Sequence, residues 1–153
     1  MKFWGKTKLL LLVAASALTA CSDPVMVSLG GAPTDNAQSV ARIREGSMFV
    51  RGFDQRRLEL KEIRNPIGNF VFAVTPGTHS LLAMNVQSGH VIPTEAMRCY
   101  AIEAEMKAGV IYRLDEDKGM RLAVLKREDT GERVAVGALV SEQSAYSDVC
   151  RWK

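Results

Sequence analysis

Aromatic residues are scarce in this chain, at 7% of its 153 positions, and histidine occurs only at His79 and His90. The first shortage argues against a sugar-binding face built from stacked rings. The second leaves few groups able to act as a neutral-pH base or a nitrogen ligand. No G-x-G-x-x-G, P-loop, H-E-x-x-H or G-x-S-x-G pattern occurs, so nucleotide, zinc-hydrolase and serine-hydrolase chemistry lack their usual signatures. No apolar run approaches the ~20 residues of a spanning helix. Three cysteines are present and none forms C-x-x-C, which disfavours a redox enzyme.

The N-terminus is unlike the rest. Lys2, Lys6 and Lys8 precede Leu9-Leu10-Leu11-Leu12-Val13-Ala14-Ala15, and no acidic residue appears before Asp23. Basic head, short apolar run and small residues form the layout of an export signal. Leu18-Thr19-Ala20-Cys21 resembles the lipobox of bacterial lipoproteins. The resemblance implies a diacylglycerol on the Cys21 thiol, cleavage before that residue, and acylation of the new amino terminus. Stable anchoring takes at least two acyl chains, and this chemistry supplies them. Asp directly after the cysteine is associated with inner-membrane retention. Here Ser22 occupies that place and Asp23 comes one residue late. The expected location is therefore the outer membrane, facing the periplasm, with the inner membrane as the lesser alternative. Cleavage also removes three of the 20 basic residues and none of the 17 acidic ones, leaving equal numbers. A nucleic-acid partner, which would call for a basic surplus, is not expected.

With Cys21 consumed by lipid, Cys99 and Cys150 remain as an even pair in an oxidising compartment, which predicts a disulfide. Closing a loop of about fifty residues stabilises a fold by ~4 kcal/mol in the chain-entropy view. The alternatives are two free thiols or a bond to another protein. A Cys99–Cys150 bond would pin the tail across the outer face of a strand.

Residues 21–39 read as the lipidated cysteine and a flexible tether, because Pro24, Gly30, Gly31, Pro33, Asp35 and Asn36 favour turns. Val25-Met26-Val27 is the one stretch there with the makings of a short edge strand. Residues 40–153 read as a single domain of about seven strands, an antiparallel β-sandwich. Period-two alternation marks Ser47 to Phe53, Arg57 to Ile63, Asn69 to Thr75 and His79 to Gln87. A turn at Pro76-Gly77 separates the last two. Glu95 to Lys107 is open to a helix or a strand. Tyr100 and Ile102, with the break at Gly109, favour the strand, with Tyr100, Ile102, Ala104 and Met106 on one face. Val110, Tyr112 and Leu114 continue the pattern. Asp115-Glu116-Asp117-Lys118-Gly119 reads as a charged turn. Arg121 to Arg127 and Arg133 to Val140 read as a hairpin around Asp129-Thr130-Gly131, with Leu122, Val124, Val134, Val136 and Ala138 facing the core.

Phe70-Val71-Phe72-Ala73-Val74-Thr75-Pro76-Gly77-Thr78-His79-Ser80-Leu81-Leu82 resembles the strand–Pro-Gly-x-His–strand hairpin of small bacterial lipoproteins with PEGA-type or transthyretin-like β-sandwich domains. Lys107-Ala108-Gly109-Val110-Ile111-Tyr112-Arg113-Leu114 is similar to their later Gly-x-x-Tyr strand, and Phe49-Val50-Arg51-Gly52-Phe53-Asp54 is a looser match to their opening hairpin. The resemblance spans about Ala41 to Glu116. It implies a fold and carries no catalytic residues.

Weighed singly, the polar candidates favour structure over chemistry. His79 follows a tight turn, where a ring caps backbone groups, and His90 sits in an exposed loop. Asp115, Glu116 and Asp117 fall short of the oxygens a calcium site requires. Arg56-Arg57 and Arg127 fit a solvated face better than an anion site. Cys99 lacks a neighbouring base that would make it a nucleophile. Trp4 leaves with the signal. Tyr146 and Trp152 in the tail are the candidate binding residues, with packing over the sandwich as the alternative for Trp152. The expectation is a lipid-anchored envelope lipoprotein without enzymatic activity, cofactor or metal. It would act as an interaction or assembly-accessory module on another envelope protein. Peptidoglycan or polysaccharide binding is the alternative, and a periplasmic enzyme comes last.

Overall fold

The computed structural model describes residues 24–59, 70–85, 96–143 and 150–152. The expected export signal, Cys21, His90 and Tyr146 lie outside the described residues, as does most of the expected Arg57–Ile63 strand. The described chain is mainly β. Its strands are β1 (Val25–Ser28), β2 (Ala41–Glu45), β3 (Met48–Phe53), β4 (Arg56–Arg57), β5 (Phe70–Val74), β6 (Gly77–Asn85), β7 (Met97–Met106), β8 (Ile111–Asp117), β9 (Leu122–Arg127) and β10 (Arg133–Gln143). They join in one sheet in the order β1-β5-β2-β8-β9-β10-β7-β6-β3-β4.

This corrects the expected seven-stranded antiparallel sandwich. The sheet is mixed, with β1 parallel to β5 and β2 parallel to β8, and it curls into a half-barrel. The curl is made at β10. Its first half pairs with β9 through Gly137↔Ala123, and its second half pairs with β7 from Ala138↔Ala101 onward. A bulge between Leu139 and Ser141 adds twist at the same place. Gly137 is needed there: a Cβ would collide with Ile102 and would lie 2.7 Å from the Ala101 carbonyl oxygen. The two halves of the sheet then face each other across a shared core.

Three short, fully described connections cross between the halves rather than closing hairpins, in addition to the partly described β4–β5 connection. Gly46–Ser47 joins β2 to β3, Thr75–Pro76 joins β5 to β6, and Lys107–Val110 joins β7 to β8. The expected Pro76-Gly77 hairpin is therefore corrected, because β5 and β6 are not neighbours. β5 pairs with β1 and β2, and β6 with β3 and β7. The third crossing is held by a hydrogen bond from the Lys107 amide to the Tyr112 hydroxyl, 2.9 Å.

Alternation determines what each strand buries. Tyr100, Ile102, Ala104 and Met106 of β7 enter the core with Tyr112 and Leu114 of β8 and Ala41 and Ile43 of β2. Met97–Met106 is a strand, the reading its Tyr and Ile content favoured. On β10 the expected phase is inverted, whereas on β9 the expected Val124 is buried along with Ala123 and Leu125. Ala123, Leu125 and Ala135 face the core, while Val134 and Val136 are 37% and 46% exposed. Both phases of this hairpin are apolar, so alternation alone could not choose between them.

Within the expected tether, the possible edge strand at Val25-Met26-Val27 does form, as β1. Val25–Ser28 pairs with β5, and Leu29 is buried in the main core. The Leu29 amide donates to the Ala73 carbonyl at 2.8 Å, and the Ser28 hydroxyl donates to the Ala32 carbonyl at 2.7 Å. Composition pointed to coil here, but one buried leucine and an open sheet edge outweigh it.

β6 is apolar on both faces because a second layer covers it. Leu82, Met84, Met97, Cys99 and Cys150 form an outer cluster, with Phe49, Val140 and Trp152 packed against it. Cys99 and Cys150 are bonded, with a Cα–Cα distance of 5.6 Å and a separation of 51 residues. Gly52 makes room for the tail, since a Cβ there would sit 3.0 Å from Trp152 Nε1 and from Leu82.

Two substitutions probe these features. Gly137→Ala is expected to lower stability by about 1–3 kcal/mol through overpacking, read as a lower midpoint in urea. Cys150→Ser is expected to cost about 4 kcal/mol if loop closure dominates, and a loss under 1 kcal/mol would show that the tail adds little.

Candidate functional site

Following the pairings gives the half-barrel two ends. One end carries the start of β1, the finish of β8 and the β8–β9 turn. The opposite end carries the β7–β8 crossing and the β9–β10 turn.

Near the first end a polar cluster is built into the core wall. Glu116 is only 2% exposed at its side chain, and Arg98 is 12% exposed. Glu116 Oε1 accepts from Arg98 Nε at 3.0 Å and from the Tyr100 hydroxyl at 2.7 Å. Arg98 Nε also lies 3.2 Å from the Tyr100 oxygen. The Arg98 amide donates to Asn85 Oδ1 at 2.7 Å, and Asn85 Nδ2 donates to the Ala96 carbonyl at 3.1 Å. Asn85 is fully buried, so it ties the end of β6 to the start of β7. The Glu116 amide donates to the Ser47 hydroxyl at 2.8 Å, which joins the β2–β3 crossing to the same cluster. Burial, and then the bond to Glu116, pushes the Tyr100 hydroxyl up to about 12. That phenol stays protonated at neutral pH and serves as a donor, so the cluster braces the wall rather than exchanging protons.

At the opposite end lies an open groove of about 460 Å³, lined by Gln38, Arg42, residues 108–111 and residues 127–129. Its apolar floor comes from Ala108, Val110 and Ile111. Its rim is charged in both signs and already paired. Arg127 Nη2 lies 2.7 Å from Asp129 Oδ2, and Arg44 Nη1 lies 3.0 Å from Glu128 Oε1. The mutual bond raises the Arg127 guanidinium above its ordinary range and holds the Asp129 carboxyl below its own. Both stay charged, as suits recognition of a polar partner more than proton transfer. Arg42 Nη2 donates to the Gly109 carbonyl at 3.1 Å, and its buried Nε meets no acceptor among the described residues.

The residues singled out from sequence fall in different places. Trp152 packs on the outer cluster beside the disulfide, and its buried Nε1 finds no acceptor among the described residues. His79 links two turns: Nδ1 is 2.8 Å from Asp54 Oδ2, Nε2 is 2.7 Å from the Thr75 carbonyl, and the ring stacks on Phe53 at 4.8 Å. Arg127 lines the groove, whereas Arg56 and Arg57 sit on the far edge strand, β4. The expected acidic turn is corrected, because Asp115–Asp117 belongs to β8. Asp115 faces Ser47 and Arg113, Glu116 is in the buried cluster, and Asp117 is near Arg133. Among the described residues no group of three or more His, Cys, Asp or Glu is placed to hold a metal ion.

No family model, curated protein or solved structure matches the chain. Two features escaped the sequence reading. Glu116 follows Tyr112 and Leu114 in the inward phase, and that spacing was the available signal for its burial. The groove joins segments remote in sequence, and no local pattern marks it.

Arg98→Met is expected to cost about 3–5 kcal/mol, because it leaves the buried Glu116 carboxylate without its cation. Tyr100 adds a pH signature. Its ionisation is suppressed in the folded state, so its contribution is complete below the unfolded value of 10.0 and is lost as pH rises toward about 12. Tyr100→Phe should flatten that alkaline loss in stability measured against pH, and an unchanged profile would reject the assignment.

Proposed function

We propose that this chain is a lipoprotein of the bacterial outer membrane, anchored through Cys21, that binds another envelope protein without catalysing a reaction. The lipobox-like Leu18-Thr19-Ala20-Cys21 supports the anchor. The observation that carries the binding reading is the open groove with an apolar floor and ion pairs already closed along its rim. Such a surface suits an extended polypeptide of mixed charge. Its backbone and side chains can lie over Val110 and Ile111 and exchange hydrogen bonds with Gln38 and Arg42. Glycan binding loses one of its candidates, since Trp152 is packed against Leu82 and the disulfide.

The test places a photo-crosslinking residue at Gln38, which is exposed on the groove, and at Glu103 on the outside of β7 as a control. Metabolic labelling with palmitate, lost in Cys21→Ser, checks the anchor. One envelope protein captured at Gln38 in near-equal amount, and not at Glu103, is the expected outcome. No protein capture, with the domain sedimenting instead on purified sacculi, would replace this reading with peptidoglycan binding.

A further inference from the structure

Two strongly exposed apolar side chains share one end of the half-barrel. Val25, at the start of β1, is 63% exposed, and Met120, in the β8–β9 turn, is 53% exposed. The pairings place them together. Val25 lies beside Phe70 at the start of β5, and β5 runs antiparallel to β2. The far end of β2, at Glu45, lies beside Leu114 of β8, which continues through Asp117 into the turn that carries Met120. Three strand spacings, about 14 Å, separate β1 from β8, and Met120 projects roughly 10 Å further along the strands than Val25, so a surface that touches both is inclined to the strand direction.

Covalent reach says which surface this is. Only Ser22, Asp23 and Pro24 stand between Cys21 and Val25. Four residue steps span at most about 14 Å even when fully extended. There is no slack beyond Val25, because β1 is paired and Leu29 is anchored in the core. We propose that the Val25–Met120 end is a membrane-contact surface, seated on lipid headgroups beside the anchored cysteine. This rests on the proposed lipidation of Cys21. Lys118 and Arg121 flank Met120, and cations bordering an apolar tip suit an anionic interface. Arg121 Nη1 is 3.6 Å from Glu142 Oε2 on the same rim, which moderates that attraction. The opposite end, with the groove, then points away from the bilayer. The seven residues of β8 span about 20 Å and set the groove's height above the headgroups.

The experiment uses the full lipidated chain in vesicles of phosphatidylethanolamine and phosphatidylglycerol that contain a headgroup spin-labelled lipid. Single fluorescent probes are attached at Met120→Cys and, on the β9–β10 turn, at Thr130→Cys. The probe at position 120 is expected to be quenched, while that at position 130 keeps its emission. Inserting a Gly/Ser linker of roughly 20 residues between Asp23 and Pro24 gives slack of about 25 Å and should relieve the quenching. Equal emission from the two probes on a chain whose intact mass confirms lipidated Cys21 overturns the contact surface alone. Quenching unchanged by the linker overturns the short tether as its cause. An unmodified Cys21 in the intact mass overturns the anchor, and the contact surface with it.

Discussion

The fold depends on β10 belonging to two halves of one sheet. A flat ten-stranded sheet would leave the inner side chains of β7 and β8 facing water. At Gly137 the strand changes neighbours from β9 to β7, and the bulge after Leu139 turns it. Tyr100, Ile102 and Met106 from one half then meet Ile43, Tyr112 and Leu114 from the other. The three crossings at Gly46–Ser47, Thr75–Pro76 and Lys107–Val110 follow from this curl, since each carries the chain from one facing half to the other.

Closing the core in this way creates two secondary demands. The wall must accommodate Glu116, which the phase of β8 carries inward. Desolvating a carboxylate costs several kcal/mol, and its attraction to one cation offsets this only when further hydrogen bonds complete the site. Arg98 and Tyr100 supply them, and Asn85 and Ser47 extend the cluster to the adjoining connections. The outer face of β6 must also be covered, because Leu82 and Met84 alternate with the core residues Leu81 and Ala83. The tail does this with Cys150 and Trp152, and Gly52 leaves it room. Trp152 therefore reads as part of the cover more than as a ligand contact.

The arrangement assigns different tasks to the two ends. One end has two exposed apolar tips, and one of them, Val25, lies four residues from the proposed lipid anchor. The other has a groove with apolar lining residues and two ion pairs along its rim, Arg127–Asp129 and Arg44–Glu128. Under the proposed anchoring through Cys21, a short tether would hold the body close to the bilayer and leave its far end accessible.

The sequence by itself indicated the β class and the strand from Met48 to Phe53, favoured a strand over a helix from Met97 to Met106, and suggested the pairing of Cys99 with Cys150. In those strands apolar and polar residues alternate cleanly, so one phase can be buried and the other cannot. For the cysteines, the pairing was suggested only by the expectation that Cys21 carries lipid, and the fold brings Cys99 and Cys150 together. Where both phases are apolar, as from Leu122 to Leu125 and from Val134 to Ala138, burial was settled by which face met the opposite half of the sheet. The parallel joining of β1 to β5 and of β2 to β8, the burial of Glu116, and the groove from Gln38 to Asp129 were likewise decided only in three dimensions. Each brings together segments distant in the chain, and local periodicity contains no term for the neighbour a strand will find across the sheet.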